Sequence, residues 1–118
     1  MKTKKDLFRI LSLKEWKKLK KEEKLFIRNL DIGFNYIHLC TKEQLEETIN
    51  VHFKKISKLV ILKLSCKKLK NFLKWEKSRC NQMFPHYYND LSFSSIIDIK
   101  FLNRRNGKLY EVRHNESI

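Results

Sequence analysis

The sequence predicts a compact α+β protein. One or more mixed, mostly antiparallel β-sheets pack against two to three helices. Short apolar segments typical of strands alternate along the chain with segments of helical periodicity. An Asn106-Gly107 pair, which is a strong hairpin signal, lies between the last two apolar segments. The chain has only 2 glycines, too few for the Gly-rich turn of a nucleotide-binding doubly wound sheet.

The first elements are a strand and a helix. Residues 7–11 have the length and the residue types of a short strand. Ser12 begins a helix because Ser12 and Glu15 have the spacing of a capping box. Residues 25–35 contain several turn-forming side chains and predict a loop or a very short strand.

The next elements bring the first candidate site residues. Residues 36–40 predict a strand whose alternation places His38 and Cys40 on the same face. Thr41 and Gln44 have a second capping-box spacing, and the helix that they begin is predicted to end near residue 54.

The C-terminal half predicts three strands, a short helix and a long loop. Residues 59–64 are nearly all apolar, as expected of a central strand covered on both faces. The other predicted elements are a short helix at 66–73, a loop at 75–88, a helical turn at 92–95, a hairpin at 97–112 and a frayed tail at 113–118. The loop holds the only proline and four aromatic residues, so we expect it to pack across the fold and line a cleft.

Composition limits the class of protein. With 118 residues and 42% hydrophobic residues, the chain is expected to form a single domain, residues 1–118, with one packed interior. No apolar run approaches the roughly 20 residues that span a bilayer, and the charged N-terminus is not a signal peptide. Three irregularly spaced cysteines do not make a disulfide framework. We therefore expect a reduced, cytoplasmic protein with no membrane partner.

The net charge of +14 raises the question of a nucleic-acid partner. Of the 27 basic residues, 21 are lysine and six are arginine, the residue favoured for bidentate phosphate and base contacts. The lysines are spread along the chain and form no single tract. We therefore expect at most weak, non-specific binding of nucleic acid.

Four segments in order resemble a known family. They are Phe8-Arg9-Ile10 with Glu15-Trp16, residues 36–41 with Glu43-Gln44, Trp75-Glu76, and residues 84–88, which read Phe-Pro-His-Tyr-Tyr. Together they resemble the small bacterial proteins catalogued as domain of unknown function 952, over residues 7–102. The resemblance implies a fold similar to that of ADP-ribosyltransferases, which bind NAD in a cleft between two small sheets. The chain departs from the family pattern before Ile37, at Cys40, where serine is common, and at Asn89, where glycine is usual.

The resemblance also implies roles for individual residues. Glu76 and His38 are the candidate catalytic residues. A carboxylate such as Glu76 offsets the positive charge that develops on the ribose when the nicotinamide bond breaks. An imidazole such as His38 orients the nicotinamide ribose. The candidate cofactor-binding residues are Arg9, Thr41, His86 and Tyr88, and NAD or a related nucleotide is the candidate ligand. A simpler interpretation stays open for four of these residues. Glu76 can pair with a lysine, Arg9 can cover an apolar face, and His38 can be a hydrogen-bonded core histidine. Thr41 is already explained as a helix cap.

Two other classes of function stay open. His38, Cys40, Cys80 and His86 are ligand types that suit zinc, but no pair has the short spacing of a zinc motif, so no metal site is expected. Nothing in the sequence positions a cysteine nucleophile beside a histidine. The other class is a non-enzymatic module that binds a ligand in its cleft or nucleic acid on its basic surface.

Overall fold

The computed structural model describes residues 6–27 and 35–113. Within these ranges the strands are β1 (Leu7–Ser12), β2 (Lys24–Leu25), β3 (Ile37–His38), β4 (Cys40–Thr41), β5 (Lys58–Leu64), β6 (Leu73–Lys77), β7 (Met83–Tyr87), β8 (Leu91–Ser92), β9 (Ile96–Arg105) and β10 (Lys108–Val112). The α-helices are α1 (Leu13–Glu22), α2 (Lys42–His52) and α3 (Cys66–Leu69). None of these helices is long and apolar enough to cross a membrane.

The strands form three antiparallel sheets in the described part of the chain. A five-stranded sheet has the order β10-β9-β5-β1-β4, a three-stranded sheet has the order β3-β7-β6, and β2 pairs with β8. With helices packed against antiparallel sheets, the protein has the predicted α+β fold class.

The central strand β5 shows how the five-stranded sheet is covered on both faces. Its side chains alternate between two clusters of buried residues. The first core contains Val60, Leu62 and Leu64 from β5, together with side chains from α1 and from the inner face of the three-stranded sheet. The second core contains Leu59 and Ile61, with apolar side chains of α2 packed against it. This alternation is the physical reason why residues 59–64 are nearly all apolar, with Lys63 as the exception.

Both predicted capping boxes are present. Ser12 Oγ accepts a hydrogen bond from the Glu15 backbone N–H at 3.1 Å, and Glu15 Oε1 accepts one from the Ser12 N–H at 3.1 Å. At the start of α2, Thr41 and Gln44 make the same reciprocal pair at 3.3 and 3.0 Å. Each cap satisfies backbone donors that the first helical turn leaves without partners.

The prediction of one continuous strand over residues 36–40 was wrong. The chain changes sheets at Leu39, because β3 pairs with β7 whereas β4 pairs with β1. Leu39 is buried, and its N–H donates to the Pro85 carbonyl at 3.1 Å. The break also separates two side chains that the alternation had placed together: His38 is exposed, while Cys40 is buried in the second core.

The segment predicted as a loop at residues 75–88 is mostly a hairpin. β6 and β7 pair from Leu73 opposite Tyr87 to Lys77 opposite Met83. The usual alternation is hidden because consecutive β7 residues from 84 to 87 are all buried, so apolar and aromatic side chains occupy both faces. The tight turn between the strands includes Cys80, whose backbone φ is +57°.

Smaller differences concern element boundaries. The predicted helix at 66–73 is α3 followed by a 3-10 turn, and Leu73 already belongs to β6. Asn106 and Gly107 form the turn between β9 and β10. Residues 28–34, which belong to the predicted loop at 25–35, lie outside the described residues, as do residues 114–118 of the predicted tail.

Candidate functional site

The candidate site lies on one face of the three-stranded sheet. His38 on β3 and Lys74 on β6 are the register partners of His86 on β7, one from each side. Residues opposite each other in antiparallel strands share a face, and so do residues two positions apart. We call the six side chains gathered there the histidine–glutamate cluster: Tyr36, His38, Lys74, Glu76, His86 and Tyr88. The opposite face carries Ile37 and Tyr87, which are buried in the first core.

Glu76 is the hydrogen-bonding centre of this cluster. Its Oε1 accepts a hydrogen bond from the Tyr88 hydroxyl at 2.6 Å and one from His86 Nδ1 at 2.7 Å. These two bonds, the Tyr88 bond first, lower the pKa of the Glu76 carboxyl. The carboxylate is therefore ionised at neutral pH. Its side chain is 40% exposed, so it is held in place and still open to solvent.

The hydrogen bond that lowers the pKa of Glu76 raises the pKa of Tyr88. Donation to the Glu76 carboxylate raises the pKa of the Tyr88 hydroxyl to about 12, with burial as the second cause. Lys74 places its Nζ 4.9 Å from the centroid of the Tyr88 ring, within the range of a cation–π contact. Tyr88 is therefore a neutral donor at physiological pH.

His86 forms the floor of the cluster. The residue is only 3% exposed. The Tyr36 ring stacks on the imidazole with centroids 4.1 Å apart and an interplanar angle of 20°. His38 meets the His86 ring edge to face at 5.5 Å. Because His38 is exposed and the Tyr36 and Tyr88 side chains are partly exposed, the aromatic rings form a rim above a buried imidazole.

Arg9 supports the cluster from the five-stranded sheet. Its Nη1 donates to the His38 backbone carbonyl at 3.0 Å, and its Nη2 lies 3.6 Å from Glu15 Oε2. The side chain is 12% exposed, so most of the guanidinium stem is covered. Arg9 thus lies beside the site that the sequence predicted, against the backbone of one of its members.

Thr41 lies apart from the cluster's hydrogen bonds. It is 6% exposed and its hydroxyl caps α2. A cofactor contact for Thr41 remains a prediction. The zinc ligand set is also not assembled: Cys40 is buried, Cys80 is exposed, and the described residues contain no group of three or more His, Cys, Asp or Glu side chains that could hold a metal ion.

Four of the six cluster residues are predicted as site residues from the sequence, whereas Tyr36 and Lys74 are not. Both could have been found from alternation within a strand. Tyr36 is two positions before His38, and Lys74 is two positions before Glu76, so each shares a face with a predicted site residue. For Lys74, this inference required β6 to be recognised as a strand.

Comparison with known proteins identifies one matching family and solved structures with a similar fold. The family model described as "Protein of unknown function (DUF952)" matches residues 10–99. The crystal structure of protein CC0527 from Caulobacter crescentus is 31% identical and superposes with a TM-score of 0.78, covering 86% of this chain and 90% of that chain. The solution NMR structure of CC0527 is 31% identical, with a TM-score of 0.75 over 88% of this chain and 90% of that chain. A search of curated proteins found no match.

Proposed function

The chain belongs to the DUF952 family of proteins of unknown function, and we propose that it binds NAD or a related ribosyl nucleotide at the histidine–glutamate cluster. One observation carries this proposal. Glu76 Oε1 is fixed by donors from His86 and Tyr88, while the side chain stays 40% exposed. The described residues donate no hydrogen bond to Glu76 Oε2. A ribose hydroxyl is a suitable donor to that oxygen, since a carboxylate accepts several hydrogen bonds.

The composition of the cluster fits the other parts of such a ligand. Tyr36 and Tyr88 offer aromatic surface on which a nicotinamide or adenine ring can stack. His38, exposed at the rim, can donate or accept a hydrogen bond to a ribose or phosphate oxygen. Lys74 brings a positive charge beside Tyr88, which favours a ligand that carries phosphate.

The reaction that we propose is an NAD-dependent transfer of the ADP-ribosyl group. Breaking the bond between nicotinamide and ribose leaves positive charge on the ribose, and a fixed, ionised carboxylate stabilises that charge. Glu76 meets this requirement, because its pKa is lowered by two hydrogen bonds. This assignment also follows the ADP-ribosyltransferase-like fold that the family resemblance implies. The proposed setting is the cytoplasm, where a buried thiol such as that of Cys40 stays reduced.

The second candidate is a module that binds the same ligand without turning it over. The observation that favours it is that Glu76 Oε1 already has two donors within the protein. A cluster whose hydrogen bonds are already made within the protein can hold a ligand through Glu76 Oε2 and the aromatic rim. It need not catalyse a reaction. The net charge of +14 would let such a module attract polyanions as well.

Calorimetric titration of the intact protein with NAD and with ADP-ribose tests the binding step. An assay for released nicotinamide then tests the reaction. Heat together with nicotinamide supports the transferase, and heat without nicotinamide supports the module. Neither heat nor nicotinamide from the unmutated protein would remove the NAD proposal.

A further inference from the structure

His86 is a buried polar side chain that uses only one of its two ring nitrogens. Its side chain is 4% exposed, and Nδ1 is bonded to Glu76. Within residues 6–27 and 35–113, no side chain or backbone group is hydrogen-bonded to His86 Nε2. Nε2 is not among the fully buried side-chain atoms of the described residues that lack a partner, so this nitrogen is not sealed from solvent. It can therefore meet a water molecule or a ligand, and an imidazole nitrogen can donate or accept a hydrogen bond there.

The state of the His86 ring follows from its neighbours. Glu76 is ionised and has no proton to give, so His86 Nδ1 must carry the hydrogen of the 2.7 Å bond. In a neutral imidazole with Nδ1–H, the lone pair is on Nε2. If Nε2 gains a proton, the Nδ1 bond remains and gains the attraction of opposite charges. The ring can therefore take up and release a proton without moving.

Two contacts hold this arrangement in place. The Tyr88 hydroxyl donates to the same Glu76 oxygen and keeps the carboxylate both oriented and ionised. The Tyr36 ring covers one face of the imidazole at 4.1 Å and fixes its plane. The other charged or titratable groups facing His86 are His38 on β3 and Lys74 on β6.

We propose that His86 is the acid–base residue of the site, and that its Nε2 accepts a proton from a hydroxyl group or water molecule held in the cluster. The general chemistry is that of an imidazole oriented by a carboxylate, which serves as a general base. This role is distinct from the cofactor contact expected from the sequence. Glu76 then has two roles: its Oε1 orients the His86 ring, and its Oε2 faces the ligand.

Within the proposed ribosyl transfer, on which this step rests, the atoms balance as follows. Nε2 takes the proton of an attacking water or alcohol as its oxygen forms a bond to ribose C1′. The bond between C1′ and the nicotinamide nitrogen breaks, and its electron pair leaves with neutral nicotinamide. The imidazolium then returns its proton to solvent. No oxidant, reductant or metal is needed.

Nitrogen-15 NMR of the histidine rings in the intact, unmutated protein tests the ring state without any ligand. We expect the neutral His86 ring to carry its proton on Nδ1 and a lone pair on Nε2. A neutral His86 ring that carries its proton on Nε2 would overturn the proposal. Because no variant is required, this measurement decides even if a substitution at His86 prevents folding.

Kinetics of His86→Gln then test the step itself. Glutamine keeps much of the shape but cannot act as a base, so we expect kcat for nicotinamide release to fall about 100-fold or more with KM within a few-fold. His52→Gln, at an exposed position on α2, is the matched control and should leave both constants unchanged. An unaltered kcat in folded His86→Gln would overturn the proposal. Absence of turnover in the unmutated protein would instead contradict the transferase, and the ring NMR would still decide the state of His86.

Discussion

The Tyr88 hydroxyl and the Glu76 carboxylate, twelve residues apart in the chain, share a 2.6 Å hydrogen bond. The bond moves their two pKa values in opposite directions, down for Glu76 and up to about 12 for Tyr88. It therefore fixes one group as an anion and the other as a neutral donor across the physiological pH range. This pair, with His86 on the same oxygen, is the structural basis of the predictions that follow.

Glu76→Gln separates the charge of the carboxylate from its shape. Glutamine retains an oxygen that can accept from Tyr88 and His86, and its NH2 group can donate to the oxygen of a ribose hydroxyl. We therefore expect nearly unchanged affinity for NAD. The negative charge that stabilises the ribosyl transition state is lost, and we expect turnover to fall on the order of 100-fold or more. Calorimetry and nicotinamide release measure the two effects separately.

Glu111→Gln is a suitable control for this experiment, because Glu111 is exposed on β10 and lies outside the cluster. It should leave binding and turnover as they are. Equal turnover in the unmutated protein and in Glu76→Gln would show that Glu76 is the wrong carboxylate. Binding without turnover in both would favour the non-enzymatic module.

Tyr88 should be visible in an alkaline titration. Its pKa rises from the ordinary 10.0 to about 12, so the protonated form is favoured in the folded state. The stability that the hydrogen bond contributes is thus fully present below about pH 10 and is lost as the pH rises through about 12. We expect ultraviolet difference titration to show a late-ionising tyrosine that is missing in Tyr88→Phe.

Glu76→Gln provides the control for the cause of this shift. Without the negative charge, Tyr88 should ionise at lower pH than in the unmutated protein, while Tyr87, whose pKa is raised mainly by burial, should change little. A Tyr88 titration that is the same in both proteins would contradict the hydrogen bond as the main cause.

Arg104 links the second helix to the C-terminal hairpin. Its guanidinium donates to the backbone carbonyls of Phe53 at 3.1 Å, Ile56 at 3.2 Å and Gly107 at 3.2 Å. We expect Arg104→Gln to lower the free energy of unfolding by about 2 kcal/mol, since hydrogen bonds from a charged donor are among the stronger ones. Urea unfolding measures the change. The neighbouring exposed residue gives the control, because Arg105→Gln should alter stability by less than about 0.5 kcal/mol.

Nucleic-acid binding is the last property to test. The +14 charge is made mostly by dispersed lysines, so we expect weak binding that falls steeply with salt and has no sequence preference. Fluorescence polarisation with labelled oligonucleotides of two unrelated sequences, at about 50 and 200 mM salt, measures both features. Tight binding that persists at the higher salt, or a clear preference for one oligonucleotide, would contradict this expectation.

The sequence by itself determined the features that depend on neighbours along the chain. Both capping boxes involve residues three positions apart, such as Ser12 and Glu15. The apolar segment that became β5 and the Asn106-Gly107 turn are also local patterns. The resemblance carried by short motifs indicated the family and drew attention to Glu76, His86 and Tyr88.

The tertiary structure decided which of these residues meet. Arg9 reaches the carbonyl of His38 across 29 residues, and the switch between two sheets at Leu39 depends on which strands lie on either side of it. The hairpin of β6 and β7 brings Glu76 to His86, yet consecutive large side chains on β7 conceal its alternation. Which strands pair depends on how much apolar side-chain surface can be buried on the two faces of the sheet. That surface is buried only when the other strands and helices are in place, so the pairing cannot be read from one segment.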